Sequence, residues 1–105
     1  RTHVIQEATK YAIEIPYKIM NKAFEAFEVC HAMAEKGNPN SVSDAGVGAL
    51  CVRTAIMGAY LNVKINASSL DDKEFINDIM KKAEEIYQEA VKNEQKILDI
   101  VLNKL

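Results

Sequence analysis

Tryptophan is absent from this 105-residue sequence, and turn formers are scarce, with 2 prolines and 4 glycines. An all-β fold of many short strands needs far more turn chemistry, so it is excluded. The 2 cysteines, Cys30 and Cys51, fit neither a metal-ligand spacing nor a disulfide framework. Both fall in apolar helical patterns and read as reduced core thiols, which points to a cytoplasmic protein. His3 and His31 stand 28 residues apart with no ligand cluster around them. No metal site is expected, and His31 reads as an ordinary helix residue. Neither sign of charge dominates: 15 acids against 13 bases leave a net charge of −2, without the basic excess of a nucleic-acid binder. No apolar run is expected to approach the roughly 18 residues of a membrane span. The sequence begins at Arg1 rather than Met, which reads as a cut or processed start with no legible signal peptide.

What is present has the balance of a globular chain, 49% hydrophobic and 27% charged, at the length of one small domain. The charges are unevenly spread. Residues 1–36 carry 5 bases and 5 acids, and residues 71–105 carry 6 bases and 9 acids. The 34 residues between them hold only Asp44, Arg53 and Lys64. A segment so poor in charge is expected to be buried, in a core or in an interface, and each charge left in it needs a reason.

Hydrophobic spacing predicts helices throughout. From Ile5 to Met33 apolar residues recur at steps of three and four, with Pro16 expected to kink that helix or to start a second one. Gly37 after Lys36 is a helix stop, and Gly37-Asn38-Pro39-Asn40 is a turn. Ser41 and Ser43 are candidate N-caps for the middle helix, whose first turn holds Asp44 and which runs to about Asn66. Asp71 or Asp72 starts the last helix, with Asp71 and Glu74 as a capping box. Its stripe is Ile76, Ile79, Ala83, Ile86, Ala90, Ile97 and Val101. A helix of about 33 residues is about 50 Å long, so it should bend, or overhang its own domain and pack on another chain. The expected fold is all-α, a bundle of long helices completed by dimerisation or by a further N-terminal half.

One face of the middle helix reads Asp44, Gly48, Cys51, Ala55, Gly58, Asn62 and Asn66, small residues between polar ends. Gly46, Gly48 and Gly58 each cost about 1 kcal/mol against alanine inside a helix, and close approach of another backbone or a ligand would explain them. Asn62 and Asn66 must bond each other, cap the helix end or meet a ligand. Arg53 is expected to face a partner or solvent, and Lys64 to snorkel. No phosphate loop, dinucleotide fingerprint or carboxylate pair is present.

Two blocks carry a resemblance. Gly37-Asn38-Pro39-Asn40-Ser41-Val42-Ser43-Asp44 and Gly58-Ala59-Tyr60-Leu61-Asn62-Val63-Lys64-Ile65-Asn66, at this separation, closely resemble the formimidoyltetrahydrofolate cyclodeaminase family, which includes bacterial methenyltetrahydrofolate cyclohydrolases. The resemblance extends along the chain and places residues 1–105 in the C-terminal half of the family domain. Family members carry a further N-terminal portion with a glycine-rich stretch. The resemblance implies an all-helical fold that forms homodimers or larger homo-oligomers and binds a tetrahydrofolate derivative near the subunit interface. No cofactor beyond the tetrahydrofolate substrate is implied, and neither nucleic acid nor membrane. The implied reaction is cyclisation of 5-formimidoyltetrahydrofolate to 5,10-methenyltetrahydrofolate with ammonia release, or hydrolysis of that product to 10-formyltetrahydrofolate. Asp44 would be the general acid/base. Asn38, Ser43, Asn62 and Asn66 would contact substrate, and Arg53 or Lys64 a polyglutamate tail. Asp44 and Asn62 lie 18 residues apart, about 27 Å along one helix, so they would share a substrate only across an antiparallel pair of copies. The competing reading is a non-catalytic helical module that keeps the fold and dimerises.

Overall fold

The computed structural model describes all 105 residues and contains helices only. Helix α1 spans Thr2–Phe24, α2 Ala26–Lys36, α3 Val42–Ala67 and α4 Lys73–Lys104, with a 3₁₀ turn at Pro39–Ser41. The α1–α2 arm runs out, α3 returns, and α4 runs out again. Along its length α3 packs against both the α1–α2 arm and α4, which touch each other less. The all-helical bundle expected from the spacing is what forms. Its shape is elongated, 58 × 17 × 15 Å with a radius of gyration of 16.7 Å. A compact chain of this size would have about 13 Å. That elongation answers the expectation that α4 must overhang or bend. At about 48 Å it is matched by the α1–α2 arm, and the 58 Å length of the domain accommodates it.

The break in the first helical stretch falls at Glu25, not at Pro16. Pro16 sits buried inside α1. A mid-helix proline removes the N–H that would serve the carbonyl four residues back, here that of Ala12. That carbonyl is served from another helix, since Asn66 Nδ2 of α3 donates to Ala12 O at 3.3 Å. Asn66 therefore follows none of its expected alternatives and fills the gap that Pro16 leaves. At Glu25 the backbone stays right-handed helical (φ −59°, ψ −27°), and Glu28 N–H bonds Glu25 O at 3.3 Å, a tightened turn. Phe24 and Phe27 pack edge to face across it, their centroids 5.4 Å apart.

Ser41 and Asp72 take N-cap positions among those expected, but the side-chain capping differs. Ser41 holds the N-cap position of α3 without a side-chain cap, and Ser43 lies inside the helix. At α4 the cap is Asp72, whose carboxylate accepts from Phe75 N–H at 3.1 Å. Asp71 makes no capping box because its own N–H is held by Gln6 Oε1 of α1, at 2.8 Å. Lys10 of α1 pairs with Asp72 at 2.9 Å and, ahead of the Phe75 N–H, holds that carboxyl below its ordinary value. The α3–α4 loop is thus docked on the first turns of α1.

One core runs the length of the bundle, with Ile13, Met20, Ile56, Val63 and Ile97 fully buried. From α4 it takes Ile79, Ala83, Ala90, Ile97 and Val101, with Ile76 and Ile86 half-buried, the stripe read from the sequence. The charge-poor helix α3 is only partly enclosed. Val42, Ala45, Ala49, Ile56, Ala59, Tyr60 and Val63 are buried, whereas Val47, Leu50, Leu61 and Ile65 are exposed on its opposite face. Cys51 shares that open face, so only Cys30 is the core thiol expected of both. Contrary to the sequence expectation, Pro39–Ala67 is long and apolar enough to cross a membrane. One side of it is built into the bundle.

The Pro16–Ala12–Asn66 arrangement predicts a non-additive pair. Asn66→Ala is expected to cost about 0.5–1.5 kcal/mol in the native background. In Pro16→Ala, where residue 16 regains an N–H for Ala12 O, the same change should cost less by at least about 0.5 kcal/mol. Urea unfolding of the four proteins measures the coupling, and strict additivity would dismiss it.

Candidate functional site

The segment that joins α2 to α3 is built from the backbone outward. Gly37 closes α2 with its N–H on Met33 O at 3.0 Å. A Cβ there would stand 2.4 Å from that same oxygen, so the position admits only glycine. Asn38 Oδ1 accepts from Asn40 N–H at 2.9 Å and Asn38 O from Ser41 N–H at 2.8 Å, which folds Asn38–Ser41 into a tight turn. The far end of α4 secures the base of this turn. Lys104 Nζ donates to the carbonyls of Ala34 and Glu35, each at 2.7 Å, two of those left unpaired at the end of α2. Lys104 escaped the sequence reading because its partners are 69 and 70 residues away and offer only backbone oxygen.

Asp44 stands one turn into α3, exposed, with no ion pair or side-chain hydrogen bond inside the chain. Ser43 is exposed beside it, and Asn38 is exposed on the adjoining turn. These three residues share one end of the molecule. Asn62 is exposed on the same face of α3 but about 27 Å further along. Within one chain Asp44 and Asn62 do not meet. Asn66, still further along, is engaged with Ala12.

Arg53 is not on this face. At 100° per residue it points about 180° from Asp44. Instead of facing open solvent, its guanidinium is paired with Glu94 of α4, a carboxylate only 13% exposed. Lys64 lies 5.9 Å from the centroid of the Tyr60 ring. The Tyr60 hydroxyl donates to Glu84 of α4, its ring stacks on Tyr87 at 5.2 Å, and Gln88 Nε2 donates to the other Glu84 oxygen at 3.0 Å. These α3–α4 contacts form a second polar system across the helix from Asp44. The Glu84 hydrogen bond, then burial, push the Tyr60 hydroxyl up to about 12. Glu84 is held below its ordinary value, first by Tyr60 and next by Gln88.

The sign of each shift sets a pH window. Tyr60 is raised, so its contribution to stability is complete below its unfolded value near 10 and is lost as pH climbs through about 12. Glu84 is lowered, so its contribution is present above 4.5 and is lost as pH falls through the folded value. Tyrosinate absorbance should therefore show one late-titrating tyrosine, absent in Tyr60→Phe and moved down toward 10 in Glu84→Gln. Ordinary titration of all 4 tyrosines would contradict the contact.

The formiminotransferase-cyclodeaminase family pattern matches residues 1–85. A methenyltetrahydrofolate cyclohydrolase of Methylorubrum extorquens is 36% identical over 105 residues, covering 100% of this chain and 50% of the relative. A formimidoyltransferase-cyclodeaminase of Dictyostelium discoideum is 36% identical over 104 residues, 99% of this chain and 19% of the relative. The protein of that name from Rattus norvegicus is 30% identical over 90 residues, 86% of this chain and 17% of the relative. The chain thus spans half or less of the length of these relatives and aligns with their C-terminal regions. With a family match over most of its length and a helical fold to accompany it, the chain belongs to the formiminotransferase-cyclodeaminase family.

Proposed function

We propose that this chain supplies the proton-transfer carboxylate of a folate one-carbon site, with Asp44 acting on the carbon carried by N5 of a tetrahydrofolate. The observation that carries this reading is the state of Asp44. It is the only acid on α3, it is exposed, and no cation or donor within the chain engages it. The names of the relatives support the substrate class.

The same carboxylate serves two related reactions. In cyclisation, N10 attacks the formimidoyl carbon on N5 and makes a tetrahedral centre, its proton passing to the carboxylate while the imino nitrogen takes up a proton from water and becomes an amino group. Protonation of its amino group by a carboxylic acid lets ammonia leave, and the 5,10-methenyl bridge remains. In hydrolysis, water adds to the bridge carbon while a carboxylate removes its proton. The bond to N5 then breaks with proton return, leaving the formyl group on N10. Both need a proton donor and acceptor at one place, a role worth about 10²–10⁴-fold. Asn38 and Ser43, at the same end of the molecule, would orient the pterin. Asn62 would reach that ring only from another polypeptide, and Arg53 would contact a polyglutamate tail only on leaving Glu94. No cofactor other than the folate itself enters either reaction.

A second reading is a helical module that binds folate without turnover. It is favoured by the chain's spanning half the length of the cyclohydrolase. Assays with 5-formimidoyltetrahydrofolate and with 5,10-methenyltetrahydrofolate, followed by the near-UV absorbance of the methenyl bridge, separate the two. Turnover of either substrate is expected, falling about 10²–10⁴-fold in Asp44→Asn. Equal turnover in the variant removes Asp44 from the mechanism. Binding of both folates without turnover establishes the second reading.

A further inference from the structure

The residues assigned to the reaction stand on two separate pieces of chain. Asn38 belongs to the turn that leaves α2, whereas Ser43 and Asp44 belong to the first turn of α3. Their relative placement depends on what holds that turn to the bundle. The turn itself contributes little. None of Pro39–Ser41 is buried, and Asn38 is exposed. A cavity of about 410 Å³ lies against it, lined by Glu35, Lys36, Gly37, Pro39, Val42 and Lys104. The hydrogen bonds within Asn38–Ser41 fold the turn without anchoring it.

The end of α2 lacks the usual cap as well. Gly37 continues extended (φ −75°, ψ 175°) instead of turning left-handed, so it satisfies the Met33 carbonyl and leaves the following ones open. Lys104 supplies the cap from outside, with one ammonium on the carbonyls of Ala34 and Glu35. Charged donors make the stronger kind of hydrogen bond. No other side chain from another helix hydrogen-bonds anywhere between Ala34 and Asn40. The same side of α4 also seats α3. Leu98, Val101 and Lys104 recur at steps of three. The side chains of Leu98 and Val101 lie 3.6 and 3.4 Å from where a Cβ on Gly46 would be, two residues beyond Asp44. One helix end therefore fixes both pieces of the site, and Lys104 is its polar hold on the Asn38 side. The family pattern stops at residue 85, so these turns of α4 lie outside it.

We propose that Lys104 is a positioning residue for the Asp44 site. By capping α2 it fixes Asn38 relative to Asp44, so that a folate oriented by the first meets the carboxylate of the second. Misplacement by about 1 Å costs up to about 10²-fold in rate, so a loosened turn is enough to slow the chemistry. The proposal rests on the reading of Asp44 given above.

Two variants at one position test it. Lys104→Met keeps a stem and removes the donors, and Lys104→Arg keeps charged donors. With 5-formimidoyltetrahydrofolate or 5,10-methenyltetrahydrofolate as substrate, well below the melting temperature of each variant, Lys104→Met should lower kcat about tenfold and change KM by less than about threefold. Lys104→Arg should recover most of the loss. Ile13→Val, a buried change toward the opposite end of the bundle, lowers stability without touching the turn and should keep the native kcat. Amide exchange followed by NMR reads the cap without substrate. The Gly37 and Ser41 N–H groups should exchange at least about threefold faster in Lys104→Met than in the native chain. Native exchange at both amides overturns the cap, and native kcat in Lys104→Met overturns its link to the site. A loss of kcat in Ile13→Val as large as that in Lys104→Met makes Lys104 a general stabiliser and also overturns the proposal. Native turnover in Asp44→Asn, or none in the native chain, overturns the reading of Asp44 and the link with it. The exchange rates then still show whether Lys104 caps α2, so the two failures are told apart.

Discussion

A helix of 26 residues that is apolar nearly all round can hide only as much surface as neighbouring helices reach. Everything else in this structure follows from how α3 meets that constraint. The α1–α2 arm and α4 take one side of it, and the three together make the single core of the bundle. The other side stays open, carrying large apolar residues at both ends, small ones between, and Asp44 at one extremity. The same helix therefore holds the fold together and presents its exposed apolar face.

Polar contacts set α3 in register rather than hold it by their strength. Asn66 answers the carbonyl that Pro16 leaves unpaired and so ties the end of α3 to α1. Arg53 on Glu94 and Tyr60 on Glu84 tie its other flank to α4. Lys104 closes the end of α2, from which the chain turns through Asn38 into Asp44. Each of these contacts joins groups more than 20 residues apart. They place the carboxylate end of α3 at a fixed point on the bundle and leave its open face free of crossing side chains.

Much of this was legible in the sequence, because apolar spacing at steps of three and four survives in any amphipathic helix. The α4 stripe, the Gly37 stop and the position of Asp44 in the first turn of α3 were read from spacing and capping chemistry alone. Pro16 starts no second helix, and the N–H it lacks is made good by Asn66, a residue 50 positions away that no local rule connects to it. Cys51 was taken for a core thiol because it falls in an apolar helical pattern and free cysteine is mostly buried, whereas α3 is apolar on its exposed face as well. Arg53 was expected at a surface because its partner, Glu94, lies 41 residues on, within a helix rich in acids. Family resemblance supplied Asp44 and Asn62 as site candidates, and the geometry then separated them along one face. What the sequence lacked in each case was the third dimension across two helices.

The division of α3 into a packed side and an open side is the claim on which the fold, the placement of Asp44 and the exposed apolar face all depend. The protein carries its own probes for it, one cysteine on each side of the division. Cys30 is buried, and burial pushes its thiol up, which lowers its reactivity further, while Cys51 is exposed. Labelling the reduced native chain with a thiol reagent at neutral pH, with the modified residue located by mass spectrometry, measures the two rates. Cys51 should react promptly and Cys30 at least about tenfold more slowly, at the pace of local opening. Equal rates, or faster labelling of Cys30, would contradict the account.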